Sequence, residues 1–317
     1  MNKLAISIVM SVYKPNITGF DRTMQSIFNQ TFQDYEVIII KDDELASTKE
    51  LIESYVKIDQ RVKFIDNNKN IGLIRSLNKG LQASSSELIA RIDVDDWWET
   101  EKLEKQYKAL KEKNLVLIGT QTNLYDSNLN LLNQFTAPST AHEVTAWFLN
   151  GKNPFTHSSV LYKKFAHMLY NEKALYSEDF EMWCRYTFMG KMENLKEHLT
   201  NYIVDINSIT GSKRYSMLVN SSKVYFEYCN QLRHTDIKQV TLGLNIHPNT
   251  SMNFFQIIFS KLYSKGMVLR FSNKKYLSYF LLFSSLIFSP DVFYYYLKRK
   301  YFQSKKTFNN GAAACVE

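Results

Sequence analysis

The stretch LIARIDVDDWWETEKLEKQ, residues 88–106, decides how this chain is read. It opens as a strand buried on both faces, without the polar alternation of a sheet that meets water. The strand ends in three carboxylates within four residues, Asp93, Asp95 and Asp96, and two tryptophans and a Glu- and Lys-rich helical pattern follow. The same order of buried strand, polar turn and amphipathic helix recurs on either side of it.

Upstream, LAISIVMSV (4–12) reads as a strand, and Phe20, Met24, Ile27 and Phe28 recur at helical spacing. YEVIII (35–40) is a second strand, leading to Asp42 and Asp43. Ser47 and Glu50 predict a capping box for the helix TKELIESYV (48–56). VKFID (62–66) is the third strand and IGLIRSLNKGLQAS (71–84) the next helix, while LVLIGTQTNLY (115–125) is a fifth strand. Strand and helix alternate about every 25 residues, which predicts βαβ units and a mainly parallel sheet flanked by helices. Such sheets bind ligands outside the carboxyl ends of their strands. Tyr13, the pair Asp42 and Asp43, and the acids from 93 to 96 all fall there.

A nucleotide diphosphate at that edge needs its charge compensated, by a glycine-rich loop at a helix N-terminus or by a metal ion. Only Gly19 precedes residue 72, so neither a phosphate-binding loop nor a dinucleotide fingerprint is present. Carboxylates alone repel phosphate. With a hard divalent cation such as Mg2+ or Mn2+ between them and the ligand, they become suitable oxygen donors. The alternative is a solvated acidic turn or a helix cap, since Asp96 precedes a Glu-rich helix. Calcium binding by DVDD alone lacks the twelve-residue loop.

Composition narrows the classes further. The net charge is +8, but residues 251–306 hold ten Lys or Arg against one acid, which leaves about −1 for the remainder. The same segment carries 16 of the 41 Phe and Tyr, so it reads as a surface-binding extension rather than part of a uniformly basic protein. Cys184, Cys229 and Cys315 are too few and too scattered for a disulfide framework or a zinc site. The N-terminal run has a signal peptide's charge and apolar core but no small-residue cleavage site, and its β-branched content suits a strand. The terminal GAAACVE is low-complexity sequence.

ISIVMSVYKP, SIFNQTFQDYEVIIIKDD, NNKNIGLIRSLNKGLQASSSELIARIDVDDWWETEKLEKQ and SEDFEMWCR stand in one order between residues 6 and 185. Together they resemble the inverting glycosyltransferases of family 2, enzymes with the Rossmann-like GT-A fold that use nucleotide-activated sugars. The resemblance implies that Ser11 and Tyr13 line a uracil pocket and that Asp43, or its neighbour Asp42, hydrogen-bonds the base. It implies that Arg75 reaches the nucleotide or diphosphate. Asp93 and Asp95 match the DxD positions: Asp93 on the nucleotide side and also a candidate metal ligand, Asp95 in direct contact with the metal, with Asp96 competing for it. The family commonly follows its Asp pair with Gly-Ser; here Glu44 and Leu45 stand instead, so that turn has a different shape.

Inverting transfer is a single displacement that needs a carboxylate to take the acceptor hydroxyl's proton, while the metal stabilises the departing diphosphate. Glu178 and Asp179 open a helical pattern and by themselves fit plain helix-dipole partners. In the family this pair is the ED motif, which implies Asp179 as general base and Glu178 as a supporting acceptor contact. The stretch NGKNPFTHSSVLYKK (150–164) resembles the family's Asn-Pro-x-x-His segment beside the donor sugar, which makes His157 a candidate. Trp97, Trp98 and Trp183 are candidates to stack on sugar rings, or core residues. The Gln-x-x-Arg-Trp motif and membrane spans of the family's processive synthases do not occur, so addition of a single sugar is expected.

YLSYFLLFSSLIFS (276–289) has fourteen uncharged residues, fewer than the roughly 20 that span a bilayer. Its basic and aromatic flanks fit helices lying in the interface of an anionic membrane, or a helical subdomain packed on the catalytic core. No nucleic-acid module is present, so nucleic acid is not an expected partner. The expected organisation is a catalytic domain at 1–215, with a nucleotide-sugar half (1–125) and an acceptor half (126–215). A helical membrane-associating extension at 216–306 and a disordered tail at 307–317 complete it. The expected reaction moves one sugar from a UDP-sugar to a saccharide on a polyprenyl-diphosphate-type lipid, in capsule, O-antigen or related glycan assembly. The lipid acceptor and a peripheral location on the cytoplasmic face of the cell membrane follow from the extension and the family, not from the site. The alternatives are a glycosyltransferase acting on protein or teichoic acid, and a non-catalytic sugar-nucleotide or membrane-binding module. Intact Asp93, Asp95 and Asp179 argue against the module, which has no use for a base.

Overall fold

The computed structural model describes residues 4–149 and 151–204, with scattered helical positions between 217 and 231. The chain divides into two compact units, 1–246 and 247–317. The membrane expectation for 251–306 lies in the second unit and outside the described residues, and the expected boundaries at 215 and 306 also fall outside the described residues. Among the described residues no helix is long and apolar enough to cross a membrane.

In chain order the elements are β1 (Ile6–Val12), α1 (Ile17–Phe28), β2 (Tyr35–Lys41), α2 (Ala46–Ile58), β3 (Val62–Asp66), α3 (Leu73–Ala83), β4 (Leu88–Arg91) and β5 (Trp97–Trp98). Then come α4 (Lys102–Glu112), β6 (Leu117–Tyr125), β7 (Leu131–Phe135), α5 (Ala141–Phe148), β8 (Leu161–Lys163), α6 (Glu178–Tyr186) and β9 (Met192–Ile203). They form one mixed sheet in the order β3-β2-β1-β4-β8-β6-β9-β5, with β7 added beside β6. The first part of the sheet, β3-β2-β1-β4, is parallel throughout. The mixed character comes from β8, which runs antiparallel to both β4 and β6, and from β5 and β7.

The unbroken apolar strands are explained by helices on both faces. Ile8, Met10 and Ile39 share one core with Phe20, Met24 and Ile27 of α1. Val9, Ile38 and Ile40 point the other way, into a core with Leu77 and Leu81 of α3. A Cβ on Gly80 of α3 would lie 2.5 Å from Val9 Cγ1, so the glycine permits that close helix-to-sheet approach. Asn16 caps α1 by accepting from the Thr18 N–H at 3.0 Å.

The capping box predicted from Ser47 and Glu50 is corrected. α2 begins at Ala46 with Leu45 at the cap position and no side-chain cap bond of its own. Asp43 pre-empts it: its carboxylate accepts from the Leu45 N–H at 2.9 Å and from Thr48 Oγ at 2.9 Å.

β1 lies between β2 and β4, so the chain leaves it on one side for β2 and returns on the other for β4. That reversal opens a crevice at the carboxyl ends of β1 and β4.

Candidate active site

A cavity of about 600 Å³ opens at this crevice, within the range of small-molecule sites. Among the segments that line it are the end of β1 and the loop after it with Ser11 and Tyr13, the DVDD turn, the Phe155–His157 segment, the start of α6 with Glu178 and Asp179, and the end of β9. Segments as far apart in sequence as Ser11 and Asp179 thus share one cavity.

Backbone strain gathers at this wall. Lys14, Asp95 and Tyr176 have φ of 45°, 78° and 64° and all line the cavity. Non-glycine residues adopt the left-handed region at some expense in energy, and such residues cluster where the surrounding structure holds them for a purpose. Asp43 fixes one of them, accepting from the Lys14 N–H at 2.8 Å.

Arg91, at the end of β4, is 2% exposed and donates through both terminal nitrogens to the Asp93 carboxylate. Asp96 is buried as well, with Ser158 Oγ donating to one oxygen and the Ile203 N–H, at 3.1 Å, to the other. Burial, with the Asp93 charge beside it, pushes the Asp96 carboxyl well above the usual range. His157 is half-buried, and its Nε2 meets the Tyr170 hydroxyl at 2.8 Å. Burial and the Arg91 charge push its pKa far down, so the imidazole is neutral.

At the start of α6, Asn153 Nδ2 donates to Asp179 Oδ2 at 2.8 Å. Burial raises the pKa of Asp179, opposed by the Phe180 N–H, Arg91 and Asn153. Burial and the Asp179 charge together push Glu178 up to about 7. Two adjacent carboxylates, one buried and one half-buried, behave as a unit that holds a proton to higher pH than either acid alone in water.

Of the residues expected from sequence, Ser11, Tyr13, Asp93, Asp95, Asp96, His157, Glu178 and Asp179 line the cavity together. Five others do not. Asp42 and Asp43 are buried clamps: Asp42 accepts from the N–H groups of Ile71 and Gly72 and from Asn67, and Asp43 from Lys14, Leu45 and Thr48. Neither is among the residues that line the cavity. Arg75 points to solvent and pairs with Glu172 at 2.8 Å. Trp183 is fully buried among Phe155, Tyr162 and Tyr186, so as a sugar platform it is corrected to core. Trp97 is half-buried, packed against Tyr125 and under the Arg22 guanidinium.

Trp98, the third tryptophan, is buried and donates from Nε1 to the Ser158 carbonyl at 2.8 Å. Arg91 and Asn153 are the site residues that sequence reasoning missed. A signal existed for Arg91: an arginine inside a buried strand requires a counter-charge nearby.

The model of the family described as glycosyl transferase family 2 matches residues 7–178. An uncharacterised glycosyltransferase of Methanocaldococcus jannaschii is 27% identical over 233 residues, 72% of this chain and 79% of that protein. The O-antigen biosynthesis glycosyltransferase WbnJ of Escherichia coli is 30% identical over 217 residues, 65% of this chain and 82% of its own. Among solved structures, residues 1–349 of S. aureus TarS with UDP-GlcNAc superpose with a TM-score of 0.56 at 14% identity, over 84% of this chain and 81% of that one. The shared architecture is the Rossmann-like GT-A fold. With a matched segment that covers more than half of the chain and runs from β1 to the first residue of α6, the chain belongs to glycosyl transferase family 2.

Proposed function

We propose that the cavity binds a UDP-sugar and that the protein transfers one sugar, with inversion, to a hydroxyl of a saccharide acceptor. The observation that carries this reading is the position of Asp179. It is a half-buried carboxylate held by Asn153, in the same cavity as Asp93 and Asp95. A base for the acceptor and acids for the donor's diphosphate side are what a single displacement requires.

In that displacement the acceptor oxygen attacks the anomeric carbon as its proton passes to Asp179, and the bond from that carbon to the diphosphate breaks. A raised pKa suits Asp179, because a general base works best when its pKa lies near the working pH. The neutral imidazole of His157 offers a hydrogen bond to the sugar without adding charge. The exposed ring of Tyr13, beside Ser11 at the end of β1, offers a face for the uracil. That TarS has been crystallised with UDP and with UDP-GlcNAc supports the choice of donor.

The donor chemistry fits Mn2+ or Mg2+. Such ions commonly take one or two carboxylates and complete their shell with substrate phosphates and water. Among the described residues no three His, Cys, Asp or Glu converge as a full protein cage. Asp95 would hold the ion, with Asp93 beside it; Asp96 already has both oxygens engaged within the protein. When bound, the ion supplies neutralisation of the leaving diphosphate.

The names of relatives in O-antigen and amylovoran biosynthesis support a place in cell-surface polysaccharide assembly. The basic, aromatic composition of 251–306 supports a lipid-carried acceptor at an anionic membrane face. The test is a donor screen: protein, Mn2+ and each nucleotide sugar in turn, with product anomeric configuration read by NMR. Release of UDP with an inverted product supports the proposal; turnover of only GDP- or CMP-sugars, or a retained configuration, overturns it.

A further inference from the structure

The DVDD turn sits on one face of α1. Gly19, Arg22 and Thr23 are spaced i, i+3 and i+4, which puts them side by side. Arg22 Nη2 donates to the Asp95 carbonyl at 2.9 Å, and Thr23 Oγ1 donates to the Asp96 carbonyl at 2.7 Å. Gly19 contributes an empty volume. A Cβ placed on it would lie 1.6 Å from Asp95 Oδ1 and 2.8 Å from Asp95 Cγ, distances that non-bonded atoms do not reach. The Asp95 carboxylate therefore occupies the space that any other side chain at position 19 would fill.

Helix formation gives no reason for this glycine. It is buried within α1, where alanine stabilises a helix better. The three nearest atoms its Cβ would meet all belong to Asp95. Asp95, with φ 78°, holds a backbone conformation that has to be supported. The displaced group in a Gly19→Ala variant would be the end of a short side chain on the cavity wall, not the core. Such a variant is expected to fold while its acid moves.

We propose that Gly19 is a positioning residue for Asp95, its missing side chain forming the notch that seats the carboxylate at the wall of the donor cavity. This rests on reading that cavity as a metal-assisted nucleotide-diphosphate site. The seat fixes the acid before ligand arrives, and a methyl group in the notch moves it.

Two measurements test the proposal. The first is a double-mutant cycle by thermal unfolding of metal-free protein: parent, Gly19→Ala, Asp95→Ala and the double variant. With Asp95 truncated, Gly19→Ala should raise Tm by roughly 2 °C, the size of a helix-propensity gain in a domain of this length. With Asp95 present the gain should vanish or reverse. The second is calorimetric titration with UDP in Mn2+ and in EDTA. Gly19→Ala should weaken Mn2+-dependent binding at least tenfold and leave binding in EDTA unchanged. Equal Tm shifts in the two backgrounds overturn the proposal, as does a variant that binds UDP with Mn2+ as tightly as the parent. If the parent itself shows no Mn2+-dependent UDP binding, the donor reading fails, and the unfolding cycle still decides whether Gly19 seats Asp95.

Discussion

Arg91 and Asp93 clasp one another across the end of β4, a fully buried guanidinium against a carboxylate that is 37% exposed. Ser158 completes the arrangement, its hydroxyl accepting from Arg91 at 3.3 Å and from the Asp93 N–H at 3.1 Å. The strand that brings three acids to the cavity thus brings a cation with them. That cation also opposes the raised pKa values of Asp96, Glu178 and Asp179.

Removing one partner of this pair should be costly. Asp93→Asn leaves Arg91 buried without its main counter-charge, and breaking a buried pair typically destabilises by about 3–5 kcal/mol. The partial exposure of Asp93 puts the expected loss at the lower end. Urea denaturation reads it directly. Arg91→Lys should fail to restore full stability, because an ammonium cannot make the two-pronged contact.

A pH effect on stability follows from Glu178. Its folded pKa is raised, so its contribution to stability is fully present below the unfolded value and is lost as pH rises through the folded value of about 7. Glu178→Gln removes that loss. In EDTA, the melting temperature of the variant relative to the parent should climb between about pH 4.5 and 7 and then level off. A difference that does not change with pH would mean that the carboxyl is not perturbed.

Asn153 gives a second pH effect, on rate. Its amide lowers the Asp179 pKa against the effect of burial. In Asn153→Ala the carboxylate loses that donor, so the acidic limb of the kcat profile should move to higher pH. The measurement is kcat against pH for both proteins; an unmoved limb would show that Asn153 does not act on the base.

The parallel half of the fold was legible because β1, β2 and β4 are buried on both faces and their helices carry apolar positions at clear helical spacing. β9 was not, since MENLKEHLTNYI is largely polar and becomes a strand through its long pairing with β6. β5 is two tryptophans whose strand character depends on Thr200 and Asn201, a hundred residues away. Asp42 and Asp43 are an instructive case. Their position at a strand's carboxyl end is right for ligand, but their oxygens are already engaged by backbone N–H groups of neighbouring loops. Asn153 stands in the Asn-Pro-x-x-His segment, but its contact with Asp179, 26 residues on, lies beyond any local pattern.

Chelation tests the donor side. EDTA should abolish transfer and Mn2+ or Mg2+ restore it, while Asp95→Asn should lower Mn2+-dependent UDP affinity by tenfold or more. Asp96→Asn should act chiefly on stability, because its oxygens serve Ser158 and Ile203. Full activity in chelator would remove the metal from the account.

The most direct test of the central claim compares Asp179→Asn with the parent in two assays run side by side, UDP binding with Mn2+ and sugar transfer. A base that acts only on the acceptor proton adds little to nucleotide affinity. General-base catalysis is worth roughly 10²- to 10⁴-fold. The account predicts UDP affinity within a few-fold of the parent and turnover lower by at least a hundredfold. Retention of most of the turnover would contradict it and move the base elsewhere, with Glu178 the first residue to examine.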